Sequence, residues 1–442
     1  MGKRVVVLGA GATGEAFVAA LRRHEPDAEV TVVERELVGG ECSYWACIPS
    51  KTLLRPREVL ARARLAPGAR AEGVDVAEVF AWRDQVSEKD DGSQADWLVE
   101  KQGAELVRGD AVVAEPGLVT VGERELPYDH LLVATGSLPV IPPVEGLEEA
   151  RAWGSREATS ASEVPASLAI VGGGAVGCEM AQLYARLGAR VTLVQSGPYV
   201  LPRMDPEAAE ILHEIFAGEG IELRLDARAT RVGAAGEGFR LELEEEEPVE
   251  AERLLVAVGR RPNVEGLGLE KLPVAIERKG IAVDDRLAAA EGVWAAGDVT
   301  GVALFTHVGK YQARIAAANV AGLDARADYR AIPAAVFTDP QVASVGDTSG
   351  EGAVTSTWRL ESVSRTSTFQ RPKQPGLLKL YGDPDRRVLV GATAVGPEAG
   401  EWIGQLTLAV RAQVPVEVLR DTIQPFPTFS EAVYFAARDL KL

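Results

Sequence analysis

The chain has 442 residues, 46% of them hydrophobic and 25% charged, which rules out disorder along its length and predicts about three domains at roughly 150 residues each. With 47 basic and 65 acidic residues the formal net charge is −18. Such a chain repels nucleic-acid phosphates and anionic lipid, so neither nucleic acid nor a membrane is an expected partner. No apolar run is long enough to span a bilayer, and the first residues do not read as a secretory signal. Three cysteines are too few for a disulfide-stapled secreted protein, so the expected location is cytoplasmic.

In chain order, Lys3 to Leu8 reads as a strand that enters Gly9-Ala-Gly11-Ala-Thr-Gly14. An apolar helical stretch follows, then a second strand, Val30 to Val33, ending at Glu34. Each glycine has a reason: a tight turn at Gly9, close backbone approach to a pyrophosphate at Gly11, and helix–strand packing at Gly14. The N–H groups of the helix start face the phosphates, and Glu34 is placed to accept hydrogen bonds from a ribose.

Next comes Gly39-Gly-Glu-Cys42-Ser-Tyr-Trp-Ala-Cys47-Ile-Pro-Ser-Lys51. Two of the three cysteines stand five positions apart. Zinc knuckles are shorter and need further Cys or His close by. A thiol at a helix start is biased toward thiolate, and this offset can close a disulfide ring. A chance pair of buried thiols and a metal site are the alternatives.

Leu131 to Ala134 reads as a strand before the turn Thr135-Gly136-Ser137, and Pro139, Pro142 and Pro143 close that segment. The first pattern then recurs. Leu168 to Val171 enters Gly172-Gly-Gly174-Ala-Val-Gly177, followed by a helix and a strand, Val191 to Val194, ending at Gln195. Two such units indicate two dinucleotide-binding domains. Gln195 neither repels nor attracts a 2′-phosphate, which leaves NADH and NADPH open with a slight lean to NADH. Cys178 reads as a buried filler. The acidic run Glu244 to Glu247 reads as a solvated hairpin tip. A strand at Val293 to Ala295, the pair Gly297-Asp298 and a helix near His307 to Val320 return to the first pattern. From Ile332 onward, strands at Ala335 to Phe337, Leu377 to Tyr381 and Val388 to Ala394 lie between helices, including Ala399 to Arg411. The expected fold class is α/β: two Rossmann-like dinucleotide-binding domains plus a C-terminal α+β domain.

Cys42-x4-Cys47 with Ile48-Pro49-Ser50-Lys51 resembles the signature of the pyridine nucleotide-disulfide oxidoreductases, which include dihydrolipoamide dehydrogenase, glutathione reductase and mercuric reductase. Further matches are Ala134-Thr135-Gly136, Gly172 through Glu179, Ala257-Val-Gly259-Arg260-Arg-Pro262-Asn263, Ala296-Gly297-Asp298, and Phe337-Thr338-Asp-Pro340 through Val345-Gly346. The resemblance covers nearly the whole chain. It implies an FAD-binding domain in two parts, 1–149 and 285–327, an NAD(P)-binding domain at 150–284, and a dimerisation domain at 328–442. It also implies FAD, NADH or NADPH, and a homodimer. NAD(P)H would reduce FAD, and FAD would reduce a Cys42–Cys47 disulfide at Cys47, leaving Cys42 as the outward interchange thiol. Lys51 and Glu179 match the family's charged pair beside the flavin and the nicotinamide, and Asp298 its ribityl-binding acid. Glu431 matches the carboxylate of the family's His-Pro-Thr-x-x-Glu ending.

That ending is altered here to Gln424-Pro-Phe426-Pro427-Thr428-Phe429-Ser430-Glu431, with Phe426 where the family's acid–base histidine stands. Phenylalanine cannot transfer a proton, and such help is worth about 10²–10⁴-fold. Mercuric reductases also lack the histidine but add a vicinal cysteine pair at the C-terminus. No cysteine follows Cys178 here, so a dedicated mercury hand-off is not expected. Between the two cysteines, Tyr44 and Trp45 either shape a pocket for a flat acceptor or pack the disulfide helix. The expected function is an FAD-dependent NAD(P)H oxidoreductase passing electrons through Cys42 and Cys47 to a small acceptor: a metal ion, a quinone or a disulfide. The alternative is a flavin-bound redox sensor or binding protein without efficient turnover.

Overall fold

The computed structural model describes residues 2–442. The chain divides into two compact units, one built from Met1–Pro49, Asp84–Val140 and Gly259–Asp328, the other from Ser50–Arg83, Ile141–Val258 and Tyr329–Leu442.

In the first unit the Val-rich strand Arg4–Leu8 is central to a six-stranded sheet. It pairs in parallel with Glu29–Glu34 on one side and with His130–Val133 on the other. Glu105–Arg108 forms one edge in parallel; on the other side Val293–Ala295 adds in parallel and the short strand Ala288–Ala290 closes the edge antiparallel. The chain order therefore reverses about the first strand, which opens a crevice at its C-terminal end, where Gly9 begins the turn into the helix Ala12–His24. That helix and Thr306–Val320 bury Phe17, Leu21, Ala313 and Ala317 in a shared core with Val5, Val7 and Leu132. An antiparallel meander, Ala111–Glu115, Leu118–Val121 and Arg124–Pro127, covers a second core on Val6, Leu8 and Val133. Its short strands sit inside a segment whose sequence carries little periodicity.

The second unit contains a four-stranded parallel sheet in the order Glu222–Arg224, Arg190–Val194, Ser167–Val171, Arg253–Val256. The helix Ala175–Leu187 lies on it, with Cys178, Met180 and Leu183 buried in its core. The Glu244 region is the expected hairpin: Gly238–Leu243 pairs antiparallel with Glu246–Ala251, and Glu245 takes the turn at φ +57°. After residue 330 a five-stranded antiparallel sheet runs Pro333–Val336, Gln341–Gly346, Val388–Gly396, Leu377–Asp383, Val354–Arg359. The stretch expected as one helix is two, Ala399–Trp402 and Gly404–Ala412, separated at Ile403. The mixed α/β class holds: Rossmann-type parallel sheets and an α+β C-terminal portion.

Candidate active site

The two glycine turns repeat each other in detail. Gly9 has φ +100° and Gly172 φ +109°, a conformation that side chains rarely adopt. A Cβ at Gly14 would lie 2.0 Å from the Gly9 carbonyl oxygen, and one at Gly177 would lie 1.9 Å from that of Gly172. Only a hydrogen lets each helix sit this close to its strand. By contrast, a Cβ at Gly11 would meet only Gly40 Cα at 3.9 Å, and one at Gly174 nothing within 4 Å. These two positions face open space, as a cradle for a pyrophosphate requires. At the end of the next strand, Glu34 Oε2 accepts a hydrogen bond from the Ala10 N–H at 2.8 Å. Gln195 Oε1 does the same from the Gly173 N–H at 2.9 Å. Each polar side chain is thus fixed beside its glycine loop, and only the first carries charge. Both turns fit a dinucleotide.

Around the crevice of the first unit, Gly136 (φ +72°) follows Thr135, whose hydroxyl donates to the Asn263 carbonyl at 2.6 Å. Arg260 donates from Nε to Ser137 Oγ at 2.8 Å, and Ser137 Oγ donates to Asp298 Oδ2 at 2.6 Å. Burial pushes the Asp298 carboxyl above its usual range, against the pull of Ser137 and Arg260. The turn at Gly297 is held by Gln312, fully buried, whose Oε1 accepts from the Gly297 N–H at 2.7 Å. Gln312 carried no signal in the sequence, being one polar residue inside an alanine-rich helix. Gly259 adopts φ +127° beside Arg260.

Cys42 lies in the short helix Gly40–Tyr44, and Cys47 opens the helix Cys47–Leu65. Both are half-buried thiols, not joined by a disulfide in this structure. Cys47 Sγ is 3.5 Å from the hydroxyl of Thr306, the first residue of the Thr306–Val320 helix. The Cys42 thiol is pushed well above its ordinary range, first by its hydrogen bond with Cys47 and then by burial. Thr306 and the charge of Lys310 pull it the other way. Tyr44 turns inward and donates to the Val38 carbonyl at 3.0 Å, so it packs the turn and does not line a pocket. Trp45 stays half-buried, with the Lys89 ammonium 5.9 Å from its ring. His307 is exposed, its ring stacked on Phe305.

In the second unit Lys51 Nζ and Glu179 Oε2 form an ion pair at 2.7 Å. Glu179 is 4% exposed, and its other oxygen accepts from the Phe337 N–H at 2.9 Å. The Lys51 ammonium also lies 4.7 Å from the centre of the Phe337 ring. Burial pushes the Cys178 thiol up and leaves it an unreactive core residue. Phe426 is 71% exposed. Glu431 Oε2 is buried and, among the described residues, has no hydrogen-bond partner.

Residues 3–325 match the family model for pyridine nucleotide-disulphide oxidoreductases, and residues 332–437 match the dimerisation domain of that family. The chain belongs to this family. It is 35% identical to a dihydrolipoyl dehydrogenase of Thermus scotoductus, over 99% of this chain and 97% of that one. It is 34% identical to a mercuric reductase of Acidithiobacillus ferrooxidans, over 99% of this chain and 83% of that one. The HOCl-induced flavoprotein disulfide reductase RclA of Escherichia coli, solved as a Cu(II) complex, superposes with a TM-score of 0.88 at 25% identity, covering 99% of this chain and all of that one. The protein is an FAD-dependent pyridine nucleotide-disulfide oxidoreductase that uses FAD and NAD(P)H, and its dimerisation domain supports a homodimer. No helix among the described residues is long and apolar enough to cross a membrane.

Proposed function

We propose that this enzyme carries two electrons from NAD(P)H through FAD and the Cys42–Cys47 pair to a small acceptor in the cytoplasm, and that the acceptor needs no proton from a histidine. A metal cation fits that demand best, ahead of a quinone or a disulfide. In this scheme Gly9, Gly11, Gly14, Glu34, Thr135, Gly136, Gly297 and Asp298 hold FAD. Gly172, Gly174, Gly177, Gln195, Gly259 and Arg260 serve the nicotinamide side. When bound, FAD accepts hydride from the nicotinamide and delivers two electrons to the disulfide. Lys51, steadied by Glu179, keeps a positive charge where electron density accumulates.

The observation that carries the choice of acceptor is the exposed phenyl ring of Phe426 in the segment where the family places its imidazole. The proton accounting separates the acceptors. Reducing a disulfide forms two thiols, so both protons of the dithiol must reach sulfur that is leaving. Reducing a quinone likewise transfers two protons to oxygen. Reducing two Cu(II) ions to Cu(I) re-forms the Cys42–Cys47 disulfide and releases both protons to water, with no acid needed at the acceptor. The Cu(II) complex of RclA supports the same class. No group of three or more His, Cys, Asp or Glu among the described residues could hold a metal. A cation acceptor would therefore meet the two thiols themselves.

The test has two parts. Anaerobic titration of the FAD-loaded dimer with NADH, then with NADPH, should raise a long-wavelength absorption band after two electrons, and Cys47→Ser should abolish it. Steady-state assays with Cu(II), a quinone and a small disulfide should then rank kcat/KM in that order. Fast turnover of a plain disulfide with Phe426 unchanged would overturn the choice. Reduction by NAD(P)H with no turnover of any acceptor would make the protein a redox sensor instead.

A further inference from the structure

Behind Asp298, in the first unit, lies a fully buried polar layer. The strand Val293–Ala295 runs on to Ala296, whose N–H still donates to the Val133 carbonyl at 3.1 Å. At Gly297 the backbone turns to φ +86°, ψ −157°, a conformation open in practice only to glycine. Its N–H leaves the sheet and donates to Gln312 Oε1 at 2.7 Å. An N–H can only donate, so the carboxamide oxygen faces Gly297 and the amide nitrogen is left for another acceptor. That acceptor is Thr300 Oγ1 at 3.2 Å, and the Thr300 hydroxyl in turn donates to the Gly297 carbonyl at 2.9 Å. One side chain thus holds the N–H and, through Thr300, the C=O of the same glycine. Gln312 is 0% exposed, and Gly297, Val299 and Thr300 are buried, whereas Asp298 between them is half-buried. The turn is also closely packed. A Cβ at Gly297 would lie 2.7 Å from Thr13 Oγ1, and one at Gly309 would lie 2.3 Å from the same oxygen.

We propose that Gln312 is a positioning residue for FAD: by fixing Gly297 it sets the Asp298 carboxylate against the flavin's ribityl hydroxyls, and flavin affinity depends on it. The inference rests on the reading of Asp298 as an FAD-binding acid. Asp298 Oδ2 accepts from Ser137 Oγ at 2.6 Å, while Oδ1 takes no hydrogen bond among the described residues and is left to accept from a hydroxyl. Packing alone does not call for glutamine at 312. Ala313, Ala316 and Ala317 on the same helix are apolar and equally buried, and an apolar side chain would avoid desolvating a carboxamide. What it would not supply is a partner for the buried Gly297 N–H. Leaving that donor unmet is costly, and the turn carrying Asp298 would rotate to find another acceptor.

The experiment reads binding, not turnover. The full-length FAD-loaded dimer is diluted, and the flavin fluorescence that appears on release gives the FAD dissociation constant. Displacement of FAD by ADP gives the affinity for ADP, which reaches the glycine turn and Glu34 but not Asp298. Gln312→Met matches the side chain's length and removes both polar ends. It should weaken FAD about tenfold, the scale of one buried hydrogen bond withdrawn, and leave ADP within about twofold. Thr300→Val keeps the shape and removes the hydroxyl; it should act in the same direction, and it keeps the test open should Gln312→Met fold poorly. Asp298→Ala should weaken FAD by itself. Adding Gln312→Met to it should cost little more, because Gln312 acts through a carboxylate that is no longer there. Equal losses of FAD and ADP affinity would make Gln312 a merely structural residue and overturn the proposal, as would additive losses in the double variant. The Asp298→Ala result separates this proposal from the reading beneath it. If Asp298→Ala binds FAD as the wild type does, the assignment of Asp298 falls and the proposal with it. If it binds FAD weakly while Gln312→Met and Thr300→Val bind as the wild type does, only the proposal falls.

Discussion

The Lys51–Glu179 pair makes an asymmetric prediction. The Glu179 side chain is 6% exposed and that of Lys51 36% exposed, with 2.7 Å between them. Removing the cation strands a buried carboxylate that keeps only the Phe337 N–H. Breaking a fully buried pair in this way costs about 3–5 kcal/mol, and the third of Lys51 that water reaches lowers the expectation for Lys51→Met to about 2 kcal/mol. Removing the anion is milder. In Glu179→Gln the amide oxygen still accepts from Phe337, and the ammonium that loses its partner is already part-solvated. The cost there is one charge-assisted hydrogen bond, about 1 kcal/mol.

The double variant Lys51→Met/Glu179→Gln leaves neither charge behind and should be more stable than Lys51→Met alone. Thermal midpoints of the four proteins at one FAD concentration measure this order. Stopped-flow reduction by NAD(P)H supplies the functional readout. Lys51→Met should slow it about 10²-fold, the scale of losing one preorganised electrostatic contact. If Glu179→Gln proved the more destabilising single change, burial would not be the governing term and the reasoning would fail.

Three other outcomes are expected. Phe426→His should raise turnover of a small disulfide by about 10²-fold, the low end of acid–base help, because the buried and unpartnered Glu431 Oε2 is available to an imidazole; Cu(II) turnover should not rise with it. Gly14→Ala would place a Cβ 2.0 Å from the Gly9 carbonyl oxygen, so the purified variant should lack the yellow colour and absorption of bound FAD. Asp205 is nearly buried, caps the helix Pro206–Gly218 through the Glu207 N–H, and binds Lys379 at 2.8 Å and the Tyr381 hydroxyl. Burial pushes its carboxyl up, but the hydrogen bonds from Lys379 and Tyr381 outweigh that and hold it below the usual range. Its stabilisation is therefore present above the unfolded carboxylate range near about pH 4 and is lost as pH falls through the depressed folded value. Asp205→Asn should cost about 1–3 kcal/mol at neutral pH and flatten the acid limb of a stability–pH curve, and an unchanged limb would show the cluster to be inert.

What the sequence disclosed was what local chemistry writes into it. The glycine turns were legible because a left-handed backbone at Gly9 and a 2.0 Å approach at Gly14 admit no other residue, and such constraints leave a fixed spacing. The strand cores Val5 to Leu8 and Leu168 to Val171 were legible as apolar runs buried on both faces. The meander at Ala111–Pro127 was not, because its strands are four or five residues long and largely half-exposed. Thr306 and Gln312 were invisible for a different reason. Each is an ordinary helical residue whose importance comes from a partner far along the chain: Cys47 and Gly297. Spacing cannot encode a contact closed by tertiary packing. Asp205 left a partial trace, since Asp-Pro at a helix start is a capping signal. Its partners Lys379 and Tyr381 lie on a strand that the same signal does not reach.

The proposed acceptor and the charge of the chain bear on one another. At −18, the field of the protein raises the local concentration of cations and opposes the approach of anions. NAD(P)H is anionic, yet in the proposed scheme its pyrophosphate would meet backbone N–H groups at Gly174 and Gly177, where the helix start supplies local positive potential against the background. A cationic acceptor needs no such device, because the background already draws it in. An anionic disulfide would lack both that attraction and the imidazole at 426. The absence of an imidazole at 426 and the net negative charge are therefore both compatible with the proposed acceptor, one that arrives as a cation and takes no proton.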